Sequence, residues 1–237
     1  MLALKEKNMN QRLFRLVAAV SLLAPIGIIA SAVTVSGQAN IFSAGHAFQP
    51  DPGGGGGGLP AVEISAAGIA YFEFTSVTGL TNCCSSTPNT GPDGGSGSTN
   101  ITSTDGISGI KASKRMFLVG VYLDATEPAG AGPAILDFAS IGTSFTDLSP
   151  DLNQTFWIGD GLTGTGSGTL QKFHAPTGAT RLFLGIADAY SFSGAPGWYD
   201  DNRGAYEVEY NAVVPEPGTM AALLLGVAGI ARRRARR

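Results

Sequence analysis

Asp188 and the run Asp200-Asp201-Asn202 place four oxygen-bearing side chains in one short stretch of the chain. Carboxylate and amide oxygens suit calcium, which takes about six to eight such ligands in a flexible geometry. The spacing is not that of an EF-hand, which needs oxygens at alternate positions and a closing glutamate. Asp and Asn side chains also bond their own backbone in turns, so a purely local role for residues 200–202 reads equally well. Trp198 and Tyr199 precede the run, and aromatic residues there either stack on the apolar face of a sugar or fill a core.

Other chemistries are poorly served. Cys83 and Cys84 are adjacent, so they cannot staple distant strands, and a strained vicinal disulfide, two free thiols or a bond to another chain all remain open. His46 and His174 lie far apart and form no spaced cluster with the cysteines, which argues against a transition-metal site. No Gly-x-Ser-x-Gly or metal-histidine motif occurs, so a non-enzymatic protein is expected. A glycosidase-type carboxylate pair would be recognised only from its separation in space.

Strands must position these residues. Residues 62–65, 69–77, 116–123, 154–158, 181–188 and 205–214 alternate apolar, aromatic and β-branched side chains between Gly-rich and Asx-rich turns. Asp188 closes the fifth of these segments, and Asp201-Asn202 stands just before the sixth. The body offers no comparable amphipathic helix, and the chain holds 34 glycines. Together these predict an all-β, jelly-roll-like β-sandwich over residues 62–213. A flexible Gly/Pro linker is expected over 33–61, ending in the run Gly53 to Gly58. The polar stretch 85–106 reads as a long surface loop.

The two ends read as addresses. Residues 1–32 have a basic front (Lys5, Lys7, Arg12, Arg15), an apolar stretch at 16–30 and the small-residue exit Ala30-Ser31-Ala32. That is the build of a secretory signal peptide, predicted as a helix, with Gly37-Gln38-Ala39 as a second cleavage candidate. At the other end, the apolar stretch 220–231 precedes Arg232, Arg233, Arg234, Arg236 and Arg237. As a helix it rises about 18 Å against a hydrocarbon core of about 30 Å. A short C-terminal transmembrane helix is expected, held with its arginines on the cytoplasmic side. Between residues 33 and 219 six basic residues face seventeen acidic ones. A body of about −11 repels nucleic acid and suits a soluble extracellular surface or a divalent cation.

Two resemblances add to this reading. Val214-Pro215-Glu216-Pro217-Gly218-Thr219, followed by an apolar stretch and terminal arginines, resembles the PEP-CTERM sorting signal over 214–237. The resemblance implies recognition at Pro215, Glu216 and Pro217 by an exosortase-type processing enzyme. It further implies an inner-membrane intermediate anchored through the C-terminal helix, then delivery to the cell envelope or extracellular space. Residues 173–206, with Ala175-Pro176, the strand ending in Asp188, and Pro196-Gly197-Trp198-Tyr199-Asp200-Asp201-Asn202-Arg203-Gly204, resemble the PA-IL-like galactophilic lectins. That resemblance implies calcium held by the side chains of Asp188, Asp201 and Asn202 and by the Trp198 carbonyl, with Tyr71 or Phe72 lending another carbonyl. It also implies carbohydrate or exopolysaccharide as ligand, met by Asp188, Trp198, Tyr199 and Asp201. The histidine and glutamine with which that family contacts galactose have no counterpart between residues 92 and 106. A structural matrix protein with a structural calcium, or with no ligand, is the alternative.

Overall fold

The segment Tyr71–Asn82 shows how this sequence makes a strand. Phe72 and Phe74 are buried while Tyr71, Glu73 and Thr75 look outward, and after Thr75 the phase slips so that Val77 is the next to go in. The slip coincides with a register shift between Glu209 and Tyr210 on the neighbouring strand. One extra residue at a β-bulge reverses the alternation that follows it.

The computed structural model of the protein describes residues 27–47, 56–84 and 87–215, which fall in one unit, Gly27–Pro215. In chain order its strands are β1 (Gly27–Ser36), β2 (Ala39–Asn40), β3 (Leu59–Pro60), β4 (Val62–Ser65), β5 (Tyr71–Asn82), β6 (Gly95–Ile101), β7 (Ile110–Arg115), β8 (Leu118–Leu123) and β9 (Leu136–Asp137). They continue as β10 (Asp147–Leu148), β11 (Thr155–Trp157), β12 (Leu162–Gly164), β13 (Ser167–Leu170), β14 (Lys172–His174), β15 (Arg181–Ile186), β16 (Ser193–Gly194) and β17 (Arg203–Val214). A single helical turn, α1 (Phe138–Ile141), is capped by Asp137, whose carboxylate accepts from the amides of Ala139 and Ser140.

The strands form a five-stranded sheet in the order β1-β17-β5-β14-β10 and a six-stranded one ordered β11-β8-β15-β2-β3, with β4 also on β15. A four-stranded sheet, β16-β6-β7-β9, and the hairpin β12-β13 complete the described residues. Aromatic rings fill the space between. Phe74 meets Phe173 edge-on at 5.3 Å, Tyr122 stacks on Phe156 at 5.3 Å, and Phe117 stacks on Trp157 at 4.3 Å. Such pairs add to simple area burial. The Tyr122 hydroxyl donates to the Phe173 carbonyl at 2.7 Å, so its polar end is satisfied inside the core.

Gly120 marks a tight point of this packing. It sits in the buried strand β8 opposite Phe156 of β11, and a Cβ there would stand 2.6 Å from the Phe156 ring and 3.0 Å from Ile158. Gly120→Ala is therefore expected to destabilise the protein by about 1–3 kcal/mol, as overpacking does. The check is a lower denaturant midpoint with an unchanged slope.

The all-β class agrees with the structure, but the jelly-roll-like β-sandwich with flanking helices requires correction. Five strand pairs run parallel, namely β10/β14, β15/β2, β2/β3, β16/β6 and β7/β9, whereas a jelly roll is antiparallel throughout. Alternation along a strand tells which face is buried and carries no information about the partner or its direction. The expected signal helix and C-terminal helix fall on residues 1–26 and 216–237, outside the described residues. Among the described residues no helix is long and apolar enough to cross a membrane. The transmembrane helix, membrane attachment through it and the inner-membrane intermediate that depended on it are accordingly not supported.

Strand β1 begins at Gly27, so residues 27–36, read from sequence as the end of the signal and the start of the linker, pair along β17 from Val214 to Ala205. Residues 27–32 of β1 are exposed, and Val35 is its one fully buried side chain.

Candidate functional site

The end of β15 delivers Asp188 two residues after Ile186, and its carboxylate is almost wholly buried at 2% exposure. Tyr199 sets that end. Its hydroxyl donates to the Ile186 carbonyl at 2.8 Å and accepts from the Asp188 amide at 3.0 Å. The ring itself is fully buried, which places Tyr199 in the core and not on a ligand surface. Asp188 then accepts from the Ala189 amide through Oδ1 at 2.7 Å and from Asn202 Nδ2 through Oδ2 at 2.8 Å.

Asn202, also buried at 1% exposure, makes a second bond from Nδ2 to the Gly37 carbonyl at 2.9 Å. Gln38 donates to the carbonyls of Asp200 at 3.0 Å and Asn202 at 3.2 Å. The loop carrying residues 200–202 is thus fastened to the turn between β1 and β2. The end of the glycine run is fitted beneath it: the Gly56 carbonyl accepts from the Tyr199 amide at 3.2 Å, and the Gly57 carbonyl accepts from Asn40 Nδ2 at 3.1 Å. A Cβ on Gly58, whose φ is +70°, would run into the Tyr199 side chain and the Gln38 carbonyl. No periodicity marks these contacts, which is why the sequence of 33–61 reads as linker.

Two buried oxygens in this cluster, Asp201 Oδ1 and Asn202 Oδ1, have no hydrogen-bond partner. Burial pushes the Asp188 carboxyl up to about 7, with the charge of Asp201 adding to the effect and the Asn202 and Ala189 donors opposing it. Burial, the Cys84 side chain and then the charges of Asp188 and Asp201 push the Cys83 thiol up to about 12. Cys83 and Cys84 are free thiols here. The sequence-predicted Asp188, Asp201 and Asn202 are therefore brought together. Orphaned buried oxygens beside two mutually repelling carboxylates fit a hard cation such as calcium. No group of three or more acidic, histidine or cysteine side chains able to hold a metal occurs among the described residues, so any such ion would lean on amide and carbonyl oxygens. Tyr71 and Phe72 do not contribute, because they pair with Val213 and Ala212, at the far end of the ladder from Asn82 and Arg203.

Trp198 adopts a left-handed conformation (φ 70°). Its ring lies 5.1 Å from that of Tyr190, which is 66% exposed. Both line a cleft of about 260 Å³ together with Asp188, Asp201, Cys84 and Arg115. Of the seven non-glycine residues with positive φ among the described residues, Cys84, Ser191, Phe192 and Trp198 all border this cleft. Backbone strain of this kind concentrates at ligand sites, where the surrounding structure must hold it in place.

The sorting residues Glu216 and Pro217 and the arginines Arg232, Arg233 and Arg234 lie outside the described residues, and Pro215 is the last residue within them. A family model for the PEP-CTERM protein-sorting motif matches residues 213–237. This C-terminal motif supports sorting to the cell envelope or extracellular space. No curated protein and no solved structure matches the chain, so the resemblance of the body to galactophilic lectins finds no relative to support it.

Proposed function

We propose that the protein is a non-enzymatic structural component of the cell envelope or extracellular matrix, delivered there through an exosortase-type processing enzyme that recognises Pro215-Glu216-Pro217. The match of the sorting motif to residues 213–237 carries this reading. In the body, the Asp188 carboxylate ties Asn202 and Ala189 together, which supports a structural role for this group. Calcium at Asp188, Asp201 and Asn202, with the Trp198 carbonyl as a further ligand, would neutralise the buried charge and lock the 199–202 loop to the Gly37-Gln38 turn.

A second reading, calcium-dependent carbohydrate recognition in which sugar hydroxyls complete the coordination, is favoured by one observation. The Tyr190 and Trp198 rings stand beside the two carboxylates in the same cleft.

Replacing Pro215, Glu216 and Pro217 together by alanine tests the delivery reading in a host that holds the processing system. The expected result is a chain that keeps its C-terminal residues by intact mass and no longer reaches the envelope or medium. Normal processing and delivery of the triple variant would overturn it.

A further inference from the structure

We propose that Arg115 forms the carboxylate-recognition point of a binding groove for an acidic polysaccharide, such as a uronate-containing chain. The inference goes beyond the structural reading by naming the chemistry of a matrix partner, and it does not require the calcium site.

The three arginines among the described residues are used differently. Arg181 spends Nε and Nη2 on the Asp124 and Thr126 carbonyls, and Arg203 spends Nη1 on the Asp200 and Asn202 carbonyls. Arg115 bonds only through Nε, to the Ser96 carbonyl at 2.9 Å. Its two terminal nitrogens make no hydrogen bond to a described residue, and no carboxylate among the described residues pairs with it although the body is strongly acidic.

This guanidinium is also held in place. It lies 5.2 Å over the ring of Phe192, a buried residue kept at φ 58°. The bare backbone of Gly97 also packs closely against it: a Cβ there would collide with Arg115 Nε and sit 2.7 Å from Cδ and Cζ. A planar fork held by Phe192, Gly97 and the Ser96 carbonyl, with its two terminal nitrogens free of hydrogen bonds to described residues, is pre-organised for bidentate pairing with a carboxylate.

The surroundings choose a sugar acid over other anions. Among the described residues Arg115 is the one charged residue lining a cleft of about 330 Å³, whose other polar side chains include Asn82, Asn89, Thr90 and Ser96. Neutral amides and hydroxyls of this kind match sugar hydroxyls. The cleft shares Arg115, Phe192 and Cys83 with the one that holds the Tyr190 and Trp198 rings, so an extended chain would meet an aromatic platform on leaving it. Strand β7 carries Lys111, Lys114 and Arg115, half of the body's basic residues, which offsets the general negative field at this place.

The experiment is binding of oligogalacturonate to the purified full chain in chelator, beside its methyl ester and poly-glutamate. Expected is salt-sensitive binding of oligogalacturonate alone. Arg115→Met should weaken it by at least about tenfold, and Arg115→Lys or Gly97→Ala by severalfold, since these keep the charge but lose the fork or its seat. Absence of binding, equal binding of the methyl ester or poly-glutamate, or full affinity in Arg115→Met would each overturn the proposal. Because chelator is present throughout, failure here is distinguishable from failure of the calcium reading.

Discussion

Raising the pH from about 4 to about 7 in the presence of chelator is expected to cost the wild-type protein about 4 kcal/mol of stability that Asp188→Asn does not lose. The sign follows from the direction of the shift. Burial lifts the Asp188 carboxyl from 3.8 to about 7 in the folded state. Between those two values the unfolded chain has released its proton while the folded one still holds it, so stability falls as pH rises. Below about 4 both states are protonated and above about 7 both are ionised, so the penalty is absent in the first case and constant in the second. Asparagine cannot ionise, and with its oxygen kept for the Ala189 amide its NH2 group cannot accept from Asn202 Nδ2, so that bond is lost at every pH and leaves the pH profile flat. Urea unfolding of both proteins across this range gives the difference, and parallel pH profiles would sink the argument from burial. At the proposed calcium site the ion would bind the ionised form and sharpen the contrast. Above pH 7 it should raise the unfolding midpoint of wild type and leave that of Asp188→Asn in place. A monosaccharide added on top should produce no further rise if the ion is purely structural, and a further rise under the carbohydrate reading.

Tyr206→Phe is expected to destabilise the protein by about 3 kcal/mol. The phenol is fully buried, and its oxygen lies 2.7 Å from Thr81 Oγ1, 2.8 Å from the Gly91 carbonyl, 3.0 Å from that of Met116 and 3.1 Å from that of Thr90. One hydroxyl proton serves three carbonyls, and the Thr81 hydroxyl can donate in return. Burial pushes the phenol above its ordinary range, so the proton stays in place at every working pH. Phenylalanine fills the same space and leaves those groups buried without their partner, which is the costly way to lose a hydrogen bond. The same residue ties β17 to the 90–91 turn and to the approach of β8, so hydrogen exchange should rise at Thr90, Gly91 and Met116 as well. A loss of less than about 1 kcal/mol would show that the carbonyls find other donors.

How much of this was legible beforehand depended on which signal each residue carried. β4 at Val62–Ser65 and β15 at Arg181–Ile186 could be read from alternation, and the meeting of Asp188 with Asp201 and Asn202 followed from placing them at two strand ends. β6 escaped because Gly95–Ile101 is built of Gly, Ser, Thr and Asn and takes its strand character from pairing with β7. The turn at Gly37-Gln38 escaped for a related reason, since its bonds to residues 200 and 202 span more than 160 positions. Tyr199 could not be divided between core and ligand surface by residue type alone, and its two hydroxyl bonds decided it. The sheet order was beyond the sequence for a general reason: partner and direction reside in contacts between segments, and each segment's own pattern is silent on them.

The pairing of β1 has a bearing on assembly. Residues 27–32 stand against Val214 back to Glu209, while Val33 to Ser36 stand against Val208 to Ala205. A leader peptidase cut after Ala32 would remove the first six rungs and spare the four beneath Val35. Half of β17 would then carry an unmated edge ending one residue before Pro215, free to template a strand from another molecule. In such a chain, maturation would do more than trim an address: it would convert a self-capped precursor into a unit with an open edge for a partner strand, and only after export.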